Sequence, residues 1–152
     1  MLIKIISINN SPPNWVNDSI KSYVKQLMAD IKIEFIEIKP NQLAHTNKKK
    51  TKEAQEIEKH TSGFHIIALD ETGQSFTSVD FSERIKRTLE NFPNIAFIIG
   101  SADGLDPVLI QKANLVLSLS AMTLPHHFAK VILIEQIYRA FSILKNHPYH
   151  RE

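Results

Sequence analysis

The residues best suited to chemistry lie at the end of the chain. Four of the seven histidines, His126, His127, His147 and His150, fall between position 126 and the terminus, and Tyr149-His150-Arg151 sets three functional groups in a row. A tyrosine ring stacks on bases, an imidazole takes up or releases protons near neutrality, and a guanidinium clamps phosphate or a base edge. Arg139 adds a further permanent cation inside an apolar helical stretch; it also stands four residues after Glu135, the spacing of a surface ion pair. His147 and His150 are three apart, but Pro148 intervenes and no acidic cluster accompanies them, so no metal site is expected. The chain has no cysteine, which excludes a thiol nucleophile, disulfides, thiolate zinc sites and iron–sulfur clusters.

Glycines narrow the choice further, because there are only four: Gly63, Gly73, Gly100 and Gly104. None lies between Ser7 and Trp15, where a nicotinamide enzyme or an ordinary class I methyltransferase needs a glycine-rich turn after its first strand. No Gly-Lys-Ser/Thr exists for a Walker loop. Asp70 stands where a receiver domain carries its phospho-acceptor, yet Asn9-Asn10 replaces the acidic pair and no lysine follows Ser118 and Ser120. It reads as a turn residue. Gly100 and Gly104 bracket Ile-Ile-Gly-Ser-Ala-Asp-Gly-Leu, and a later strand runs into Leu-Ser-Leu-Ser-Ala-Met-Thr-Leu-Pro. These are either tight turns or a backbone open to a ligand beside an aliphatic and hydroxyl-bearing loop able to hold a flat ring.

The elements that would position these groups alternate. Strands are expected at Leu2 to Ile8, Ile31 to Ile38, Phe64 to Leu69, Ile95 to Ile99 and Leu115 to Leu119. Helices are expected at Trp15 to Met28, capped by Asn14; around Glu53 to His60; from Ser78 or Asp80 to Phe92; from Asp106-Pro107; and from His126 to Lys145. Five alternations predict an α/β fold, a mostly parallel sheet covered on both faces, in one domain spanning 1–152. Ligands of such sheets sit beyond the carboxyl ends of the strands, here Asn9 to Pro13, Asp70 to Gly73, Gly100 to Leu105 and Ser120 to His126. The helix from His126 is apolar around more of its circumference than a one-sided surface helix requires, so it is either a buried core helix or half of a dimer interface.

Charge is nearly balanced, 18 basic against 16 acidic residues, so contact with nucleic acid must come from local patches. One is the run Lys48, Lys49, Lys50, Lys52, which reads as a solvated loop or as a phosphate contact. No apolar stretch is long enough to span a membrane, and the N-terminal run is too short and interrupted for a secretory signal, so a cytoplasmic protein is expected.

Several blocks carry a family likeness: Ile99-Gly100, Asp103-Gly104-Leu105, Leu117 to His126, Glu135-Gln136-Ile137-Tyr138-Arg139-Ala140 and Asn146-His147-Pro148-Tyr149-His150-Arg151, with Pro13-Asn14-Trp15, Glu37-Ile38 and Leu69-Asp70 upstream. Together they resemble the ribosomal RNA large-subunit methyltransferase H family, a minimal branch of the SPOUT superfamily. The resemblance implies a SPOUT-type fold with a C-terminal trefoil knot, a homodimer, and S-adenosylmethionine-dependent methylation of pseudouridine N3 in 23S rRNA of the 70S ribosome. It also implies cofactor contacts at Leu69, Gly100, Leu119, Ser120, Ala121, Met122, Thr123 and Leu124. His126, Arg139, Tyr149, His150 and Arg151 become candidate catalytic residues, with His126 or His150 as proton acceptor and the tail completing the partner subunit's site. The chain departs from the family pattern at Ser101, usually a second glycine, and at Asn9-Asn10, where a glycine-containing turn is common. The alternatives are a SPOUT enzyme for another RNA nucleotide and a non-catalytic RNA-binding or ribosome-assembly module.

Overall fold

The computed structural model describes residues 1–151. Its branched aliphatic runs form five strands: β1 (Leu2–Ile8), β2 (Lys32–Ile38), β3 (His65–Ser75), β4 (Asn94–Ile99) and β5 (Leu115–Ser118). All pair in parallel in the order β2-β1-β4-β3-β5, as the alternating pattern predicts. Five helices connect or follow them: α1 (Asn14–Leu27), α2 (Thr46–Glu58), α3 (Ser78–Asn91), α4 (Pro107–Lys112) and α5 (His126–Leu144).

Strand alternation divides the core in two. Ile3 and Ile5 of β1, Ile67 of β3, Phe97 and Ile99 of β4 and Leu117 of β5 face one way, into a layer with Val16 and Ile20 of α1, Phe81 and Ile85 of α3, and Leu133, Ile134 and Ile137 of α5. Ile6, Ile8, Ala68, Ala96 and Ile98 face the other way, under Ala54 and Ile57 of α2 and Leu109 of α4. Chain direction changes between β1 and β4: β1 leads outward to β2, and β4 leads past β3 to β5. The carboxyl ends of β1 and β4 therefore flank a topological switch point, where open α/β sheets bind their ligands.

Several boundaries differ from the sequence expectation. α2 begins at Thr46, so the lysine run lies inside its first turns rather than ahead of it. Unbranched lysines are good helix formers, and burial of Glu53, Ala54 and Ile57 against the sheet anchors the stretch. β3 continues to Ser75 through a bulge in which Leu69 and Gln74 both pair with Leu117. Thr77, not Ser78 or Asp80, caps α3 by accepting the Asp80 N–H. At α1, Pro13 takes the cap position with no side-chain bond, and Asn14 is the first helical residue. Asp106 does cap α4, accepting the Val108 N–H at 2.8 Å.

Candidate functional site

The carboxyl ends of β3, β4 and β5 carry the residues expected at the cofactor. Leu69 packs against the α5-side core at the start of the bulge. Beyond it Asp70 accepts the Thr72 N–H at 3.0 Å, the turn-forming role read from sequence. Gly73 then passes so close to β5 that a Cβ there would lie 2.6 Å from the Val116 carbonyl oxygen. Gly100 serves another close approach, since a Cβ would meet the Gly104 carbonyl carbon at 2.8 Å and Leu105 at 3.0 Å. What approaches Gly100 on that side is its own turn: Gly104, at φ +80, donates to the Ser101 carbonyl at 2.9 Å. That turn is tied to α2 by an ion pair of 3.0 Å between Lys49 and Asp103, a partnership the reading of the lysine run did not foresee.

After β5 the chain forms an open loop. Ser118 Oγ donates to the Ser120 carbonyl, Ser120 Oγ accepts the Met122 N–H at 3.0 Å, and Thr123 Oγ1 donates to Glu71 across the gap to β3. Ala121, Met122 and Thr123 are exposed, Met122 at 77 %, while Leu119, Ser120 and Leu124 are half-buried. Beside the loop, Phe76, Phe81, Leu119, Ile132 and Gln136 help line a pocket of about 210 Å³ between β5, α3 and α5. Phe76, Thr77, Ile132 and Gln136 were not foreseen as lining residues, because they come from elements far apart in sequence.

α5 starts at this end. His126 and His127 lie ring to ring, 4.1 Å between centroids. Burial, then His127 and Lys130, lower the His126 pKa from its usual value and favour the neutral imidazole. Lys130 is 2 % exposed and reaches Glu37 of β2 at 3.0 Å. Trp15 of α1 stacks on Phe128 at 5.0 Å, and both remain exposed. Further along, α5 is a core helix, with Leu133, Ile134, Ile137, Tyr138 and Phe141 buried against the neighbouring elements. Its surplus apolar surface is thus mostly absorbed within the chain, and what stays open is concentrated at its first turn.

The remaining candidates gather at the opposite end of α5. Arg139 Nε donates to Glu135 Oε1 at 3.0 Å, the i, i+4 pair visible in the sequence. The tail folds back so that Tyr149 lies under the guanidinium, 4.8 Å from ring centroid to Cζ, and its hydroxyl donates to the same Glu135 oxygen at 3.0 Å. Burial first, then hydrogen bonding with Tyr23 and Glu135, pushes the Tyr149 hydroxyl pKa far up, so it stays protonated. Bonding to Glu135 raises that of Arg139 and keeps it charged. Arg139 Nη1 contacts His150 Nδ1 at 3.2 Å; a guanidinium only donates, so Nδ1 accepts. His147 Nδ1 accepts the Tyr149 N–H, and Arg151 is exposed. Thirteen residues separate His126 from Arg139, about 20 Å along a helix axis. His126 and the tail cluster therefore occupy different stretches of α5, while Gln136, next to Glu135, lines the pocket beside the loop.

The comparisons agree with this architecture. Residues 1–150 match the family model described as "Predicted SPOUT methyltransferase". The chain is 41% identical over 155 residues to the Ribosomal RNA large subunit methyltransferase H of Ralstonia pickettii, covering 99% of each chain. It is 40% identical to that of Chromobacterium violaceum and 39% identical to that of Neisseria gonorrhoeae, in each case over 100% of both chains. Among solved structures, a probable methylase family protein from Haemophilus influenzae aligns with a TM-score of 0.55 at 9% identity, over 99% of this chain and 70% of that one. A probable methyltransferase from Bordetella pertussis aligns with a TM-score of 0.54 at 11% identity, over 91% and 95%. At that identity the structural likeness speaks for the fold alone, whereas the full-length sequence matches show the family. The chain belongs to the SPOUT methyltransferases and is an RNA methyltransferase that uses S-adenosylmethionine.

Proposed function

We propose that this protein methylates N3 of a pseudouridine in 23S rRNA within the 70S ribosome, working in the cytoplasm as a homodimer of one-domain subunits with the family's trefoil knot. The observation that carries the reading is the full-length match, at about 40% identity, to relatives named Ribosomal RNA large subunit methyltransferase H. Among the described residues no helix is long and apolar enough to cross a membrane.

The strand ends suit the cofactor. Leu69, Leu119 and Leu124 offer aliphatic surfaces for a flat ring, and the loop from Leu119 to Leu124, exposed at Ala121, Met122 and Thr123, offers main-chain donors and acceptors. The 210 Å³ pocket is smaller than the roughly 300 Å³ at which small-molecule sites begin, so the open loop or a partner subunit completes the enclosure. S-adenosylmethionine supplies an electrophilic methyl group, and the chain must hold the acceptor nitrogen in line with it. N3 acts as a nucleophile once its proton is removed. His126, biased to the neutral form beside the cofactor loop, takes that proton in this reading. His150, the other candidate acceptor, accepts from Arg139 through Nδ1 and so belongs to the tail cluster. Tyr149 offers a stacking ring, and Arg139 and Arg151 supply cations that stabilise the deprotonated base.

The direct test is methyl incorporation from labelled S-adenosylmethionine into ribosomes isolated from a strain lacking the modification. Label at pseudouridine N3 is the expected result; label at another nucleotide, or none at saturating cofactor, rejects the reading. Two further outcomes are expected. Because the His126 pKa is lowered, its neutral form persists as pH falls through the usual histidine value. The acidic limb of kcat should therefore lie below about pH 6.5, and His126→Ala should abolish that limb. Its contribution to stability has the same sign, present above the unfolded value and lost as pH falls through the folded one.

Lys48 and Lys52, both exposed and four residues apart on α2, present two cations toward a polyanion. Positive side chains near a helix N-terminus are unfavourable unless an anion relieves them. Replacing Lys48, Lys49, Lys50 and Lys52 with glutamine should lower the slope of log affinity for ribosomes against log salt by about one to three. An unchanged slope removes α2 from the RNA footprint.

A further inference from the structure

At the topological switch point, two polar side chains are buried with nothing bonded to one of their atoms. Ser7 is 2 % and Asn9 3 % exposed, and Ser7 Oγ and Asn9 Oδ1 have no hydrogen-bond partner. Ser101, half-buried after β4, leaves its Oγ unpartnered as well. The three belong together by register. Ser7 continues the face of Ile3 and Ile5, and it pairs with Ile99 on one side and Glu37 on the other. Asn9 and Ser101 each lie two residues beyond the pair of Ser7 with Ile99, at the ends of neighbouring strands. The Asn9 N–H bonds to the Ile38 carbonyl at 3.0 Å, so the pairing of β1 with β2 holds this far. The Asn9 amide is oriented by its own Nδ2, which donates to the Asn10 carbonyl at 2.6 Å and leaves Oδ1 as the open acceptor. α5 roofs this row, since Lys130 reaches Glu37, the register neighbour of Ser7.

Orphaned buried polar atoms are costly, and one amide oxygen beside two hydroxyls is a set matched to an N–H donor. Ser101 directly follows Gly100 at the edge already argued to take the cofactor. We propose that Ser7, Asn9 and Ser101 form a subsite for an amino group of S-adenosylmethionine, entering between the ends of β1 and β4. This rests on the methyltransferase assignment and is independent of which nucleotide is methylated.

The test uses the full chain and S-adenosylhomocysteine, with affinities read by calorimetry. Ser7→Ala should leave the melting temperature of the ligand-free protein unchanged or raised, because it deletes a hydroxyl that has no partner, whereas Asn9→Ala also removes the Nδ2 bond to the Asn10 carbonyl and is read by affinity alone. Each should weaken S-adenosylhomocysteine about tenfold. 5′-Methylthioadenosine, which keeps the adenine amine but lacks the amino-acid part, identifies the group bound. Unchanged affinity for it assigns the subsite to the α-amino group, and a parallel loss assigns it to the adenine amine. If both variants fold and bind S-adenosylhomocysteine as the wild type does, the polar atoms enclose only water and the proposal is overturned. Failure of ribosome methylation with this binding effect intact would reject the proposed function and leave the subsite standing.

Discussion

A mixed dimer of two inactive variants should recover about half the wild-type rate. In Arg139→Ala the tail end of α5 loses the cation that holds Tyr149 and His150; in Ala121→Arg the open cofactor loop carries an added bulky cation. Each homodimer should fall by roughly two to three orders of magnitude, the scale expected when a stabiliser of developing charge is lost or the cofactor is displaced. His126 and Arg139 stand about 20 Å apart along α5, so in the proposed homodimer each productive site takes its loop from one chain and its tail from the other. In a two-fold dimer of one variant with the other, one of the two composite sites has both halves intact. Co-expression with two different tags, purification through both and measurement of methyl incorporation reads this directly. Recovery of about half the rate supports a site shared between subunits. A mixed dimer as inactive as its parents means that each chain serves itself.

Gly73→Ala should be the most damaging small substitution in the sheet. A Cβ at this position would lie 2.6 Å from the Val116 oxygen and 2.7 Å from its carbonyl carbon. Both are backbone atoms of β5, so no flexible side chain can turn away; the bulge of β3 has to move from its neighbour. Overpacking of this kind costs about 1 to 3 kcal/mol, or a fall in melting temperature of roughly 2 to 12 °C for a chain of this size. Ser75→Ala, at an exposed site on the same strand, should leave it within about 1 °C. Leu69 and the Thr123 contact with Glu71 flank the bulge, so Gly73→Ala should also weaken S-adenosylhomocysteine. An unchanged melting temperature would mean that β3 and β5 separate here at little cost.

Much of this arrangement could be read from periodicity. Branched residues in short runs marked all five strands, and apolar spacing marked α1, α3 and α5 to within a residue or two, because burial of one face imposes the repeat directly on the chain. α2 was legible only in its second half. Its exposed first turns are polar throughout, and the contact that registers them, Lys49 with Asp103, spans 54 positions. The extension of β3 was hidden for a similar reason: Glu71, Thr72, Gln74 and Ser75 are exposed and carry no apolar signal, and what holds the strand is its ladder to β5.

The candidate residues could be named individually from the sequence, and their grouping could not. Absence of cysteine, the glycine-free first loop and the likeness of the blocks from Ile95 onward restrict the chain to methyl transfer without a thiol, and they name the loop and tail residues. Spacing along the chain does not reveal how far apart α5 holds His126 and Arg139, or that Ser7, at the same strand end as Asn9, pairs with Ile99 of β4 just ahead of Gly100 and Ser101. Those relations depend on strand order and on a rigid helix of fixed rise, which bring together or hold apart residues that the linear sequence cannot place.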